Sequence, residues 1–404
     1  MRDGWRSVVI GDIAQVDIER EQVSAQRTYR VVGVLNAGQG LFDRGLLAGE
    51  ATNYPALHRL RAGQVVMRKL TAWEGPVAVV PPEFDGYFVS TEFPTFSLDT
   101  NHILPEFMQL ECQLPSFWQA LKDRSTGTVQ RRKRVNPTAF LTVPILLPPL
   151  ADQRRIIDVV ASLDDLVTYA RQAASSYGDV ARRLRAKHFE TIEGPIVPAE
   201  EFFQVTMGRQ RSPKNASGKH MIPYLRAANV KDGYLDLADV KTMNFAPAEQ
   251  ARFGLAPGDV LVTEGCGSLK QVGASAQWSG EISGPVCFQN TLLRIRARPG
   301  VSTPNYAYQW ARYSFESGAF AAVASGTNIF HIGADRAGAI TVTAVPVANQ
   351  ESTMATVEAA DAATSAAHQL LERLGEARQT VHTDLLSGQH MIPPSYDELL
   401  EPTG

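Results

Sequence analysis

The feature of this sequence that most constrains its fold is an internal repeat with a period of about 197 to 199 residues. Ser125-Thr126-Gly127-Thr128 is echoed by Ala324-Ser325-Gly326-Thr327, and Leu141-Thr142-Val143 by Ile340-Thr341-Val342. Solenoid repeats have periods of roughly 20–50 residues, so this period predicts a duplicated module instead. Two similar binding units held at a fixed separation suit a ligand that is itself extended and repetitive, and DNA is the obvious candidate.

Each copy ends in a long helical pattern, which begins at Pro149-Leu150-Ala151-Asp152-Gln153 and at Pro346-Val347-Ala348-Asn349-Gln350. Residues at spacings of three and four predict a heptad stripe in each helix. The first stripe comprises Val160, Leu163, Val167, Ala170, Ala174, Tyr177, Ala181, Leu184 and His188, with Arg171, Arg182, Arg183 and Arg185 off the seam. The second comprises Val357, Ala360, Thr364, Ala367, Leu371, Leu374, Arg378, Val381 and Leu385. The two stripes favour an antiparallel coiled coil within one chain; the alternative is that one or both helices pack on their own domain.

Short apolar runs bounded by Gly and Pro alternate with helical patterns at residues 103–123 and 304–320. Each globular part is therefore predicted to be α+β. The predicted segments are a globular part at residues 1–150, a spacer helix at 151–193, a second globular part at 194–348, a second spacer helix at 349–390 and a tail at 391–404. The whole forms an internal pseudo-twofold repeat.

Composition excludes several classes of protein. Hydrophobic residues make up 44% of the chain, but no apolar run is long enough for a membrane span. The N-terminus lacks the apolar stretch of a signal peptide, and the three cysteines, odd in number, predict reduced thiols, so a cytoplasmic protein is expected. Cys112, Cys266 and Cys287 lack metal-ligand spacing, so no metal site is predicted. No catalytic motif is found. Glu264 and Cys266 could form a catalytic pair, but no histidine lies near them in the sequence.

The net charge of −3 arises mainly from residues 349–404, which hold nine acidic and two basic residues, so any DNA-binding surface must come from local clusters in the globular parts. Gly lets backbone approach phosphate, Arg and Lys contact phosphate or guanine, and Gln and Asn can read adenine. The alternative for each basic residue is an ordinary solvated charge. The candidates in the first globular part are Arg68, Lys69, Arg124, Gln130, Arg131, Arg132, Lys133 and Arg134. Those in the second are Arg209, Arg211, Lys214, Ser268, Lys270, Gln271, Asn328 and His331.

Several ordered motifs resemble the specificity (S) subunits of type I restriction–modification systems. Residues 143–157 and 162–165 resemble their central region, and Pro346–Gln350 with Leu385–Gly388 resembles their C-terminal repeat. Residues 67–75 with 90–96, in the first globular part, resemble one variety of the target recognition domain of these subunits. Residues 203–213, 258–263 and 288–295, in the second globular part, resemble another variety. The match departs at Glu351, where the first copy has Arg154, and at Thr364 and Arg378 on the second seam.

The resemblance implies two target recognition domains of mixed α/β type, joined and spaced by the helices. Such a subunit binds double-stranded DNA at a bipartite sequence and catalyses nothing itself. It docks two methyltransferase subunits, which use S-adenosylmethionine, and restriction subunits with ATP and Mg²⁺ join in some systems. No cofactor is expected on this chain. The alternative functions are a duplicated protein- or glycan-binding scaffold, and an enzyme with an unrecognised site.

Overall fold

A computed structural model describes residues 4–127 and 133–399, and the chain divides into two compact units. Unit 1 comprises residues 1–169 and 370–404, and unit 2 comprises residues 170–369. Each unit thus combines one globular part with portions of both long helices.

Unit 1 is built mainly of antiparallel strands, with short helices that begin at proline. Its strands are β1 (Arg6–Val9), β2 (Ala14–Val16), β3 (Glu19–Gln22), β4 (Thr28–Val34), β5 (Leu41–Ala48), β6 (Ala56–Arg59), β7 (Val65–Met67), β8 (Val77–Val79), β9 (Phe88–Ser90), β10 (Thr95–Leu98) and β11 (Pro144–Leu147). Its short helices are α1 (Pro105–Cys112), α2 (Pro115–Asp123) and α3 (Pro137–Phe140). The first long helix, α4 (Leu150–Thr191), begins in this unit. Proline suits a first helical turn because its missing N–H has no partner there anyway.

Unit 2 repeats this plan. Its strands are β12 (Ile196–Pro198), β13 (Phe203–Met207), β14 (Met221–Leu225), β15 (Lys241–Asn244), β16 (Val260–Thr263), β17 (Gly265–Cys266), β18 (Ser275–Gln277), β19 (Cys287–Phe288), β20 (Leu292–Ala297), β21 (Phe330–His331) and β22 (Thr341–Thr343). Its short helices are α5 (Ala199–Phe202), α6 (Pro247–Phe253), α7 (Pro304–Glu316), α8 (Ala319–Val323) and α9 (Ala334–Ala339), and the second long helix is α10 (Val347–Leu386).

The sheets show which parts of the repeat are shared. A four-stranded sheet has the order β2-β10-β7-β8 in unit 1 and β13-β20-β16-β18 in unit 2. A two-stranded ribbon, β1-β11 or β12-β22, joins the start of each globular part to the strand that precedes its long helix. The remaining sheets differ, since unit 1 adds β3-β6-β9-β4-β5 and unit 2 adds β15-β14-β19 and β17-β21. The internal repeat and the α+β class predicted from the sequence are both confirmed.

The predicted helices at 103–123 and 304–320 are each interrupted in the structure. Pro115 ends α1 and starts α2, because the residue before a proline is pushed away from the helical conformation. In unit 2 the break comes at Gly318, whose φ of +80° leaves the right-handed helix. Tertiary packing then places the buried faces of the resulting helices against the four-stranded sheets.

The long helices pair in opposite directions inside each unit. In unit 1 the early part of α4 meets the late part of α10, where Arg378 Nε lies 2.9 Å from Asp164 Oδ1. In unit 2 the late part of α4 meets the early part of α10, and a Cβ added at Gly178 would lie 3.8 Å from Thr364 Cγ2. These contacts confirm the predicted antiparallel pairing.

The seam of α4 differs from the predicted one in its second half. Tyr177 was placed on the seam but is 47% exposed, whereas Arg185, placed off the seam, is fully buried. From Ala174 the inward positions run through Gly178, Ala181 and Arg185. A straight helix has 3.6 residues per turn, so an inward stripe drifts from a strict 3.5-residue repeat and adds a step of four. On α10, all the predicted seam positions are buried or half-buried.

Two buried glutamines explain the paired motifs at the starts of α4 and α10. In unit 1, Gln153 accepts a hydrogen bond from Leu104 N (2.8 Å) and donates to His102 O (2.8 Å) and Pro148 O (2.9 Å).

In unit 2, Gln350 accepts from Thr303 N (2.7 Å) and donates to Val301 O (2.9 Å) and Val345 O (2.8 Å). The repeat therefore preserves three hydrogen bonds at the start of each long helix, two of which tie it to the segment that precedes α1 or α7.

No helix within residues 4–127 and 133–399 is both long and apolar enough to cross a membrane.

Candidate nucleic-acid interface

Unit 1 brings three segments together at one edge, and they are called here the unit 1 loop cluster: residues 68–75, 90–94 and 124–135, of which 128–132 lie outside the described residues. Arg134 forms isolated β-bridges with both Leu70 and Thr126. Val135 N donates to Lys69 O (3.1 Å), and Thr71 N donates to Lys133 O (3.1 Å). Backbone contacts therefore connect the loop after β7 to the loop that contains most of the predicted basic residues.

The side chains of Lys69 and Arg134 converge on one carboxylate. Lys69 Nζ lies 3.9 Å from Glu92 Oε1, and Arg134 Nη2 lies 3.5 Å from Glu92 Oε2. The Arg134 side chain is 52% exposed, so it is open to solvent despite this contact. The neighbouring Lys133 is half-buried. Two cations share one acid here, which leaves a net positive edge.

Two other predicted basic residues are already engaged within unit 1. The Arg68 guanidinium donates to Leu70 O (3.0 Å) and Thr71 Oγ1 (2.8 Å) and pairs with Glu74 (3.2 Å). The Arg124 guanidinium donates to Thr142 through Nε and Nη2, and to Ala120 O through Nη1. Both arginines therefore hold loop backbone in place. The predicted contacts at Gln130, Arg131 and Arg132 lie outside the described residues.

Unit 2 has an equivalent frame, called here the unit 2 loop cluster: residues 208–214, 264–271, 289–291 and 325–332. β17 pairs with β21, so that Gly265 lies opposite His331, and Ser325 also bridges to His331. Ile332 N donates to Glu264 O (3.0 Å), as Val135 N does to Lys69 O in unit 1. Gly326 has φ +129° and Gly127 has φ +130°, which confirms that the sequence echo is also a conformational one.

Glu264, which has no histidine near it in the sequence, has a histidine partner in the structure. His331 Nδ1 lies 2.9 Å from Glu264 Oε2, and Gly333 N donates to Glu264 Oε1 (3.3 Å). The two residues are 67 positions apart, so sequence proximity could not reveal the pair. The Cys266 thiol instead contacts Gln271 Oε1 (3.6 Å) and the backbone N–H of Ser268 (3.5 Å).

Arg209 lies inside unit 2, whereas the next basic residues are outside. Its guanidinium donates to Asn244 O, pairs with Glu249 (2.7 Å) and stacks 5.0 Å from the ring centre of Phe245. Arg211 and Lys214 are exposed. Of these three predicted residues, Arg209 therefore holds the loop in place, whereas Arg211 and Lys214 are accessible to a ligand.

An open groove of about 800 Å³ follows this loop. Its charged lining comes from Arg211, Arg226 and Lys241, with Tyr224 and Gln289 beside them. Asp239 pairs with both Arg226 (2.6 Å) and Lys241 (2.7 Å).

Sequence reasoning missed Arg226, Lys241, Tyr224 and Gln289 as candidates. The sequence shows these residue types but not their proximity, because Tyr224 and Lys241 become neighbours only through the pairing of β14 with β15.

The other predicted residues of unit 2 lie along the same loops. Ser268 is half-buried, and Gln271 and Asn328 are exposed. Lys270 is exposed beside a separate concavity that includes Arg182 and Glu316. Within residues 4–127 and 133–399, no group of three or more His, Cys, Asp or Glu side chains is placed to hold a metal ion.

Comparison with known proteins gives a consistent result. No protein-family model matches the chain. The specificity subunit of the type I restriction enzyme HindI from Haemophilus influenzae is 22% identical over 188 residues, which are 45% of this chain and 39% of that protein. The chain thus matches about two-fifths of the length of this curated relative.

Two solved structures match along nearly the whole chain. A chain of a type I restriction–modification system covers 95% of this chain and 98% of its own length, with a TM-score of 0.64 and 20% identity. The type I S subunit of M. genitalium covers 95% and 96%, with a TM-score of 0.50 and 13% identity. At these identities the likeness establishes the fold, and the resemblance drawn from the sequence motifs is confirmed at that level.

Proposed function

We propose that this chain, which has the fold of the type I specificity subunits, is the DNA-recognition subunit of a type I restriction–modification complex. Each unit reads one half of a bipartite double-stranded sequence through its loop cluster. The observation that carries this proposal is the duplicated loop frame. Gly127 and Gly326 share a backbone conformation, and Arg134 and His331 share a bridging position, yet the side chains differ. A common frame with different side chains is what two half-sites of different sequence require.

Residues of the two loop clusters have different roles in the proposed binding of DNA. Exposed Arg134, Arg211 and Lys214, with the groove residues Arg226 and Lys241, supply contacts to phosphate. Polar side chains on the same loops, Asn328 and Gln271 above all, are placed to meet base edges, where Asn and Gln can pair with adenine. The interior arginines Arg68, Arg124 and Arg209 position the loops.

The chain contributes recognition, and the chemistry belongs to its partners. In this proposal two methyltransferase subunits dock on the long helices and supply S-adenosylmethionine-dependent methylation of adenine. Restriction subunits, with ATP and Mg²⁺, join where the system has them. The paired helices α4 and α10 act as the spacer that sets the distance between half-sites.

The test is the methylated sequence itself. The chain is produced in cells with its methyltransferase subunit, and the methylome is sequenced before and after residues 1–150 are replaced by those of a related chain. One half-site should change and the other should stay. The matched control replaces residues 194–348, which should change only the other half. If both halves change in either swap, or neither does, modular recognition is wrong.

A duplicated scaffold for protein or glycan is separated from this proposal by the salt dependence of duplex binding. Phosphate contacts release counterions, so affinity for DNA should fall steeply with salt. Affinity that is weak, independent of sequence and insensitive to salt would favour the scaffold.

The Glu264–His331 pair favours one further candidate, a catalytic site in unit 2, because an acid that orients a histidine is a common arrangement in enzymes. The purified chain is assayed alone for methyl transfer and nuclease activity, with Glu264→Gln as the comparison. Activity that the variant loses would assign chemistry to this chain.

A further inference from the structure

Unit 1 contains a buried carboxyl group with an unsatisfied oxygen atom. Glu111, in the last turn of α1, is only 4% exposed, and its Oε1 atom makes no hydrogen bond to any residue that the structure describes. Burial raises the pKa of this carboxyl to about 8. A buried acceptor without a partner costs folding free energy, since it has lost its hydrogen bonds to water.

This residue lines a cavity of about 390 Å³. The apolar walls come from α2 and β11, including Phe117, Ala120 and Ile145, and from Leu386 at the end of α10. Thr383 and Ser387 are exposed at its margin. The space exceeds what a single water needs, so it is large enough for a side chain from another molecule.

The repeat shows that such a cavity is not imposed by the fold. The residue 199 positions after Glu111 is Trp310, which is buried and donates from Nε1 to Thr341 O (3.1 Å). The counterpart of Leu386 is Phe189, which stacks on Tyr313 at 5.0 Å between ring centres. At these two positions unit 2 has large aromatic side chains, whereas unit 1 has a carboxyl group and a leucine.

The electrostatic character of the cavity selects a cation. Among the described residues that line this cavity, only Glu111 is ionisable, and a cation that enters would hold its carboxyl group in the charged form. The end of α10 also faces it, and the C-terminal end of a helix carries partial negative charge. A positively charged group would satisfy both, and its aliphatic stem would cover the apolar walls.

We propose that this cavity is a docking pocket for a lysine or arginine side chain of a protein partner, which pairs with Glu111. The identity of the partner rests on the proposed function. The partner is the methyltransferase subunit, because the cavity lies where α10 meets the recognition domain of unit 1. The pocket chemistry itself is independent of that choice.

The first arm of the test probes the pocket on the full chain alone. Ethylguanidinium, a mimic of the arginine tip, and ethylurea, its neutral analogue, are titrated against the protein, with binding followed by NMR of labelled side chains around the cavity. Ethylguanidinium should bind the original chain and lose at least about tenfold in affinity with Glu111→Gln, as expected for loss of a charge-assisted bond. Glu106→Gln, at an exposed glutamate on the same helix, should have no effect.

Equal binding of ethylurea and ethylguanidinium, or no binding of either, would overturn the assignment of a cation pocket. Glu111→Gln should fold at least as stably as the original chain, since a buried acid is replaced by an amide. Should it misfold, Thr383→Trp at the margin provides a second variant, which should block ethylguanidinium while leaving Glu111 in place.

The second arm measures association with the methyltransferase subunit. Glu111→Gln and Thr383→Trp should each weaken the complex by about tenfold or more, and Glu106→Gln should not. Unchanged association alongside a cation-specific pocket would refute the methyltransferase subunit as the occupant. Failure of the original chain to bind that subunit or direct methylation would refute the proposed function, and the first arm would still judge the pocket.

Discussion

In the unit 1 loop cluster, Lys69 and Arg134 share Glu92 at 3.9 and 3.5 Å, whereas the equivalent positions of the unit 2 loop cluster hold Glu264 and His331 2.9 Å apart. The backbone contacts around these pairs are nonetheless the same. Main-chain bridges and a left-handed glycine therefore shape the loops, and the side chains on them can change without altering that shape. A surface built in this way can carry different side chains while its scaffold stays constant.

The junction between the helix pair and the globular part of each unit shows a similar contrast. In unit 2, Arg185 is buried and donates to Gln309 (2.7 Å), Glu316 (2.6 Å) and Asp361 (2.6 Å). In unit 1 the equivalent position of α10 is His382, whose Nε2 lies 3.1 Å from Leu110 O. One junction is an ionic network, and the other is a buried neutral imidazole.

The largest expected effect is at Arg185. Arg185→Ala should lower the free energy of unfolding of unit 2 by about 3–5 kcal/mol, because Asp361 loses its buried cation and Glu316 keeps only Arg312 (3.2 Å). Urea unfolding followed by hydrogen exchange separates the two units. Arg183→Ala, at an exposed arginine of the same helix, should change stability little. If His382→Ala destabilises unit 1 more than Arg185→Ala destabilises unit 2, the ranking of the two junctions is wrong.

Next come the two glutamine anchors. Gln153→Ala and Gln350→Ala should each cost about 2–3 kcal/mol, since each removes three hydrogen bonds and leaves buried backbone groups unsatisfied. The two losses should be equal within error, as measured by urea unfolding of each variant. Gln172→Ala on the exposed face of α4 is the control. A large loss in only one unit would mean that the shared geometry is not equally important in both.

The third effect depends on pH and concerns His382 of unit 1. Burial, with a smaller contribution from Arg378, lowers the pKa of His382 to about 4 from its ordinary 6.5. The folded chain therefore binds the proton less readily than the unfolded chain. Stability from this residue is present in full above pH 6.5 and is lost as the pH falls towards 4, by up to about 2–3 kcal/mol. In thermal unfolding across this range, His382→Gln should flatten the acid side of the profile, and an unchanged profile would contradict the assignment.

The smallest effects are expected in the two loop clusters, where the proposed function places the contacts to DNA. Arg134→Ala should lower duplex affinity modestly and reduce the slope of log affinity against log salt by roughly 0.9, as one phosphate contact is lost. Asn328→Ala should leave that slope unchanged and relax one half-site by about 1–3 kcal/mol if it meets a base edge. Fluorescence anisotropy at several salt concentrations, with duplexes altered in one half-site at a time, measures both. If both variants keep the salt slope and the sequence preference of the original chain, the surface that contacts DNA lies elsewhere.

Local patterns were sufficient for much of this protein. The echoed motifs predicted the duplication, and the stripe of α10 was placed correctly from Val357 to Leu385 because helical periodicity is a property of neighbouring residues. Local sequence patterns did not predict the bounds of the short helices, as the breaks at Pro115 and Gly318 show. Of the predicted site residues, Arg68 and Arg209 fit the pattern of exposed basic loops, yet both are committed to contacts inside the protein.

The sequence by itself determined the duplicated α+β modules, their two long helices and the loops that carry charge, because repeats and periodicity are written in adjacent residues. Only the tertiary structure decided which charges are paired. Arg185 is buried because the helix pair turns that face inward, and Glu264 meets His331 because β17 and β21 pair across 67 residues. The free energy of a charge depends on its burial and on partners distant in sequence, and chain folding alone brings those partners within a few ångströms.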